Sequence, residues 1–202
     1  MPSDNVLQGM GLTTLNRLTS TISIPNILTL VRILLTPVFV IFLLRDLYGM
    51  ALLVFAVAGI SDGLDGLIAR YMNQRTALGA YLDPAADKLL LVSAFVALAV
   101  LGDIPPWATV IVIARDVIIV LGLAILTLTE KKYEISPSMV SKCTTTAQII
   151  TVLITLYDPA RVKLTMLHPA LLWSTVILTT LSGLHYIYIG MNILQEPGEA
   201  GG

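Results

Sequence analysis

Charge is what this sequence has least of. Only 12% of its 202 residues are Asp, Glu, Lys or Arg, against roughly a quarter in an ordinary soluble domain. So few charges cannot clothe a water-soluble globule of this size. The balance is apolar: 56% of residues are hydrophobic and the mean hydropathy is +0.86. The chain therefore reads as an all-α integral membrane protein. Cysteine is nearly absent. Cys143 stands alone, which excludes an internal disulfide and a cysteine-based zinc site, and it reads as a small semi-buried residue. Basic clusters are missing too. With a net charge of -1 and no run of Lys or Arg, no nucleic-acid partner is expected. Internal repeats and low-complexity stretches are absent. The first twenty or so residues lack a basic region followed by an apolar one and carry Asp4 and Arg17, so no cleaved signal peptide or organellar transit peptide is expected.

What remains is a series of apolar runs. Residues 1–22 mix polar and apolar types, with Leu12, Leu15 and Leu18 near helical spacing, and read as a short interfacial helix. Residues 23–194 form the body, and 195–202 a flexible tail. Within the body, six spans are expected at about 24–44, 50–70, 83–101, 107–128, 141–157 and 170–194, each near the ~20 residues a bilayer needs. The start of the third has two readings. Asp83-Pro84 is either an N-cap with proline in the first helical position, or the helix starts near Thr76 with Pro84 inside it. Charges inside spans are costly and usually meet a partner or a polar cavity. Arg32 lies in the first span, where snorkelling to the headgroups is the competing reading. Arg115-Asp116 lies mid-way along the fourth, as part of a polar site or as a structural ion pair. Lys142 with Thr144, Thr145 and Thr146 at the start of the fifth suits an anion, or is ordinary capping. His168 and His185 read as core or interface residues rather than ligands.

The stretch from Ser61 to Lys88 concentrates the chemistry. Asp62 and Asp65 are three apart, and Asp83 and Asp87 four apart, so each pair shares a helix face. If the two segments pack antiparallel, four carboxylates converge, and carboxylates that close repel unless a cation sits between them. Oxygen-only ligands favour Mg2+ or Mn2+ over zinc. Gly63, Gly66 and Ala69 keep the first segment thin, so a ligand can approach the backbone. Arg17, Arg70, Arg75, Lys131, Lys132 and Lys142 flank one end of the spans, and Arg45, Arg161 and Lys163 the other. That bias places the termini and the carboxylates at the cytoplasmic face. An acidic metal site near arginines at a membrane surface points to phosphate chemistry. An ion-coupled transporter is the rival class. Its site would lie near the midplane, often within inverted repeats, and neither feature is visible here.

Asp62, Asp65, Gly66, Ala69, Arg70, Gly79, Asp83 and Asp87 match D-x2-D-G-x2-A-R-x8-G-x3-D-x3-D at every fixed position. The chain thereby resembles the CDP-alcohol phosphotransferase (CDP-alcohol phosphatidyltransferase) family, from Ile24-Pro25-Asn26 through the sixth span. The resemblance implies a six-helix membrane fold, a homodimer, and transfer of a phosphatidyl or similar group from a CDP-linked donor to an alcohol with release of CMP. It also implies roles. Asp62, Asp65, Asp83 and Asp87 would hold two divalent ions, Mg2+ or Mn2+. Asp87 would be the general base. Asp62, Asp65, Gly66, Ala69, Arg70 and Gly79 would bind the cytidine nucleotide.

Ile24 to Pro37, Asn73 to Lys88 and Ala114 to Ile119 look like the branch that joins CDP-diacylglycerol to glycerol-based acceptors in a cell (inner) membrane. The preferred acceptor is glycerol 3-phosphate, as in phosphatidylglycerophosphate synthase, with Arg115, Lys142 and Arg32 as acceptor-phosphate ligands. Phosphatidylglycerol, as in CMP-forming cardiolipin synthase, is the alternative. Two departures bear on that choice. The synthase pattern G-K-x-K-T reads Ser141-Lys142-Cys143-Thr144-Thr145 here, without the second lysine, and Asp116 stands where glutamate is commoner.

Overall fold

The computed structural model describes the backbone over residues 24–72, 77–128, 139–160 and 162–195; side chains at 24–28, 62–85, 87, 123, 126–128 and 194 are outside the description. Every element is helical: α1 (Ile24–Leu44), α2 (Tyr48–Met72), α3 (Ala77–Val100), α4 (Pro106–Leu128), α5 (Met139–Tyr157) and α6 (Leu167–Gln195). Among the described residues there is no strand. The expected interfacial helix at 1–22 and the tail beyond residue 195 lie outside them. Two stretches, Met139–Tyr157 and Leu167–Ile193, are long and apolar enough to cross a membrane by length and composition. Shorter apolar stretches run over Thr29–Leu44, Tyr48–Ser61 and Lys88–Val100.

The expected boundaries hold to within a few residues, and the larger differences have local causes. α3 starts at Ala77, so Pro84 lies inside the helix and Asp83 is not its N-cap. α6 starts three residues before the expected Ala170, where the amides of Leu167 and His168 already bond to Leu164 O at 3.0 and 3.1 Å. Two helix ends are closed the same way. After α1, Asp46 takes a left-handed φ of 59°, Asp46 N–H bonds to Leu43 O at 3.0 Å, and Leu47 N–H to Phe42 O at 2.9 Å. After α3, Gly102 takes φ 82°, its N–H bonds to Ala99 O at 3.1 Å, and Asp103 N–H to Leu98 O at 2.8 Å. Both are Schellman caps, which satisfy the last carbonyls of the helix. Glycine is the natural residue for the left-handed position, and aspartate is among the few others that tolerate it. Pro106 then opens α4, where a missing N–H costs nothing.

The chain divides into two units, Met1–Ser93 and Ala94–Gly202. In the first, α1 packs on α2. Phe39, Leu43, Ala51, Phe55 and Ala58 are buried there, and the Phe39 and Phe55 rings meet at 5.6 Å. In the second, α6 packs on both α4 and α5. The pairings give the directions. Trp107 meets Trp173 at 5.5 Å and Arg115 meets Ser182, so α4 and α6 run parallel. Gln148 meets Thr179, Thr151 meets Thr175 and Thr155 meets His168, so α5 runs antiparallel to α6.

Candidate active site

The motif residues belong to two continuous helices. Asp62, Asp65, Gly66, Ala69 and Arg70 lie in the second half of α2; Gly79, Asp83 and Asp87 lie in the first half of α3. At 100° per residue the five α2 positions occupy one face roughly 140° wide, and the three α3 positions one roughly 80° wide. Helical backbone through both segments is what the three- and four-residue spacings require. The side chains of all eight residues lie outside those described, as do the contacts between the two sets. Their neighbours are described. Ser61 donates back to Val57 O at 2.8 Å, Ala86 is buried, and Lys88 is half-buried. Among the described residues no cluster of three or more His, Cys, Asp or Glu gathers, and the metal expectation rests on the four aspartates.

The three expected acceptor-phosphate ligands have different surroundings. Arg32 is buried in α1, 1% exposed, with Thr29 and Thr36 also buried on the same helix. Thr36 Oγ1 donates to Arg32 O at 3.0 Å. Burial of the whole side chain is the opposite of snorkelling. Lys142 is exposed in the first turn of α5.

Arg115 is the best-defined polar centre. It is 3% exposed, and nearly every donor it has is used. Nη1 donates to Asp116 Oδ1 at 2.7 Å, Nη2 to Ser141 Oγ at 2.6 Å and to Ser182 Oγ at 3.0 Å, and Nε to Ser182 Oγ at 3.2 Å. The guanidinium also stands 5.9 Å from the Tyr186 ring. Three helices thus contribute to one cation: α4 with Arg115 and Asp116, α5 with Ser141, and α6 with Ser182 and Tyr186. Arg115 tolerates burial because charge and donors are matched together.

The threonines beside Lys142 do not present their hydroxyls to an anion. Thr144, Thr145 and Thr146 donate to the i−4 carbonyls of Val140, Ser141 and Lys142 at 2.8, 3.2 and 2.9 Å. Thr144 is fully buried and also donates to Leu178 O at 3.1 Å. From there a polar seam continues between α5 and α6. Gln148 Nε2 donates to Thr179 Oγ1 at 3.2 Å, the Thr151 and Thr175 hydroxyls pair at 2.8 Å, and Thr155 Oγ1 meets His168 Nε2 at 3.0 Å. His168 is accordingly an interface residue, as expected, whereas His185 is exposed, its ring in a T-shaped arrangement with that of Tyr186. Cys143, expected semi-buried, is exposed. Sequence reasoning did not find Ser182 as a partner of Arg115. The available signal was its place with Thr175 and Thr179, at four- and three-residue steps on one face of α6.

Asp158 organises the connection after α5. Its Oδ1 accepts from Val162 N–H at 3.2 Å, and its Oδ2 from Lys163 and Leu164 N–H at 2.8 and 2.7 Å. Burial works against the charged carboxylate, but the amides of Leu164, Val162 and Lys163, with help from the Lys163 charge, outweigh it and hold Asp158 below its ordinary pKa.

Comparison with known proteins agrees with the motif. Residues 22–181 match the family described as CDP-alcohol phosphatidyltransferase. The chain is 35% identical over 190 residues to the human "Cardiolipin synthase (CMP-forming)", covering 86% of this chain and 63% of that protein. It is 34% identical over 178 residues to the "Probable phosphatidylglycerophosphate synthase" of Mycobacterium tuberculosis, covering 82% of this chain and 80% of that one. It is 40% identical over 111 residues to the "Cardiolipin synthase (CMP-forming)" of Streptomyces coelicolor, covering 52% of each. The chain thus spans 63% of the human relative's length, a little under two thirds.

Proposed function

Because the chain belongs to the CDP-alcohol phosphatidyltransferase family, we propose that it transfers the phosphatidyl group of CDP-diacylglycerol to the hydroxyl of a glycerol-based acceptor and releases CMP. The observation that carries this reading is the placement of the eight motif residues on one register face of α2 and one of α3. The four aspartates form an all-oxygen donor set, which fits a hard divalent ion. Asp62, Asp65, Asp83 and Asp87 would hold Mg2+ or Mn2+, in a two-ion arrangement. When bound, the metal supplies positive charge to the diphosphate and to the departing CMP oxygen.

The chain's own residues do the rest. Gly66, Ala69 and Gly79 carry little or no side chain, so the cytidine nucleotide can lie close to the backbone in the pocket they would form with Arg70, with Asp62 and Asp65 beside it. Asp87 takes the proton of the acceptor hydroxyl as that oxygen bonds to the phosphatidyl phosphorus. The bridging P–O bond breaks, and CMP leaves with the electron pair.

The same reading sets six helices across a cell membrane, with both termini and the aspartates at the cytoplasmic face, and pairs two copies as a homodimer. In its support, the helices run from 19 to 29 residues, near or above the ~20 needed to span. Large apolar side chains such as Leu34, Ile60, Val100, Val120 and Leu184 are more than half exposed, as lipid-facing residues are. Of the acceptors, sequence prefers glycerol 3-phosphate and keeps phosphatidylglycerol as the alternative. The human and mycobacterial relatives bear the two activity names at 35% and 34% identity, so identity does not choose between them.

The test is CMP release by purified protein in detergent with Mg2+ and CDP-diacylglycerol, offered each acceptor. Asp87→Asn should lower turnover by about 10²–10⁴-fold, the usual contribution of a general base, with an unchanged unfolding temperature. Near-normal turnover by that variant would remove Asp87 from its role.

A further inference from the structure

We propose that Ser182 is a positioning residue for the transfer: its hydroxyl holds the Arg115 guanidinium in the orientation that meets the acceptor's phosphate. The inference rests on the phosphatidyl-transfer reading above, with Arg115 as a ligand of the acceptor phosphate, and it holds for either acceptor.

Arginine is a long side chain that ends in a flat fork, and the donors of that fork have fixed directions. It serves a phosphate well only when the plane is already aimed. Asp116 takes one Nη1 N–H at 2.7 Å from the same helix, and Ser141 takes one Nη2 N–H at 2.6 Å from α5. Ser182 differs from both. Its Oγ accepts from two nitrogens, Nε at 3.2 Å and Nη2 at 3.0 Å, which form one edge of the fork. Two donors of one edge meeting on one oxygen fix the rotation of the plane as well as its position. The hydroxyl is neutral, so it orients the cation without cancelling its charge. By the donor count of a guanidinium, one Nη1 N–H remains for a ligand.

Ser182 is itself held in place. It is fully buried, one turn along α6 from Leu178, whose carbonyl accepts from Thr144 of α5 at 3.1 Å. It is three residues from Thr179, the partner of Gln148. The polar seam between α5 and α6 thereby sets the height at which Ser182 meets Arg115. Tyr186, one turn further on, brings its ring to 5.9 Å from the guanidinium carbon. Gly183 shows where the rest of the arginine runs. A Cβ at that glycine would stand 3.6 and 3.8 Å from Arg115 Cγ and Cβ, ordinary contact distances. The stem of Arg115 thus lies against α6, and its head rests on Ser182.

The experiment measures kcat and both KM values for CMP release by the purified protein. The donor is CDP-diacylglycerol with Mg2+, and the acceptor is whichever of glycerol 3-phosphate and phosphatidylglycerol wild type uses. Ser182→Ala should raise the acceptor KM about tenfold, the scale of one hydrogen bond to a charged group. It should leave kcat and the KM for CDP-diacylglycerol little changed, the pattern of lost binding to one substrate. Ser182→Thr keeps the hydroxyl and should recover most of the loss. Gly183→Ala adds a methyl beside the stem of Arg115 without touching its donors, and should leave the acceptor KM in place. Where Ser182→Ala does not fold, Ser182→Cys, whose sulfur accepts only weakly, should show the same rise. A merely structural role would lower the unfolding temperature and the yield of active protein without moving the acceptor KM. An acceptor KM that stays put in the folded variants, rises as much in Gly183→Ala, or fails to recover in folded Ser182→Thr would overturn the proposal and leave the transferase reading standing. No CMP release by wild type with either acceptor would overturn both.

Discussion

The helix pair α1–α2 and the helix pair α5–α6 solve one problem by opposite means. The first is joined by apolar contact: Phe39, Leu43, Ala51, Phe55 and Ala58 are at or near zero exposure, and two rings meet at 5.6 Å. The second is joined by polar pairs a turn or so apart, at Thr144, Gln148, Thr151 and Thr155 of α5. Apolar contact is tolerant of small slides, since any well-packed arrangement buries similar area. Hydrogen bonds are directional, so a slide by one residue along the α5–α6 seam would break every rung at once. The seam therefore fixes register, and it leads to the Arg115 cluster.

That contrast can be broken in four places. The largest effect is expected at Arg115, where Arg115→Ala strips the guanidinium from buried Asp116 and should cost about 3–5 kcal/mol, as loss of one partner of a buried pair does. Thermal unfolding in detergent should show it. Next comes Phe39→Ala in the apolar pair. It opens a cavity at a fully buried position and should cost about 3 kcal/mol, read in the same assay. A rung of the polar seam should matter less: Thr151→Val removes the bond to Thr175 and should cost about 0.6 kcal/mol, the average for hydrogen bonds between membrane helices. A double-mutant cycle with Thr175→Val isolates that coupling.

The smallest and most conditional effect belongs to Asp158. Its folded pKa is lowered, so its stabilising influence is complete above the pKa of a free aspartate, about 3.9, and is lost as pH falls through the lower folded value. Wild type should unfold at a higher temperature than Asp158→Asn at pH 7, and the two should converge in strong acid. A difference that persisted there would assign the effect to something other than the carboxylate.

Much of the fold was legible in the sequence, and the reasons differ by element. α1 falls at its expected limits because an apolar run ends at Arg45-Asp46, which cannot continue it. The start of α3 was ambiguous because a proline reads equally well in the first turn of a helix or inside one; the structure places Pro84 inside. The four aspartates stood out by spacing, since carboxylates paired on a helix face beside apolar runs are costly without a cation to hold. The α5–α6 seam did not stand out. Thr144, Thr145 and Thr146 near a lysine resemble an anion-binding turn, and periodicity does not say whether a hydroxyl turns to a ligand, to its own helix or to a neighbour. Arg115-Asp116 was visible as a pair, but its partners Ser141 and Ser182 come from 26 and 67 residues away. Only the folded chain brings such distances together.

The rungs between α5 and α6 also bear on how the protein is made. On the six-span reading, α5 would leave its ribosomal exit and meet lipid before α6 exists. Alone there, the amide of Gln148 would face hydrocarbon without Thr179, while Thr144 would keep only its own-helix bond to Val140 O. An amide without a partner is costly in lipid. Asp158 clasps the backbone of the short link between them and ties that link to the end of α5. The pair is suited to enter the bilayer together as a preassembled hairpin, with the hydroxyls of the seam and the Gln148 amide N–H already partnered from within.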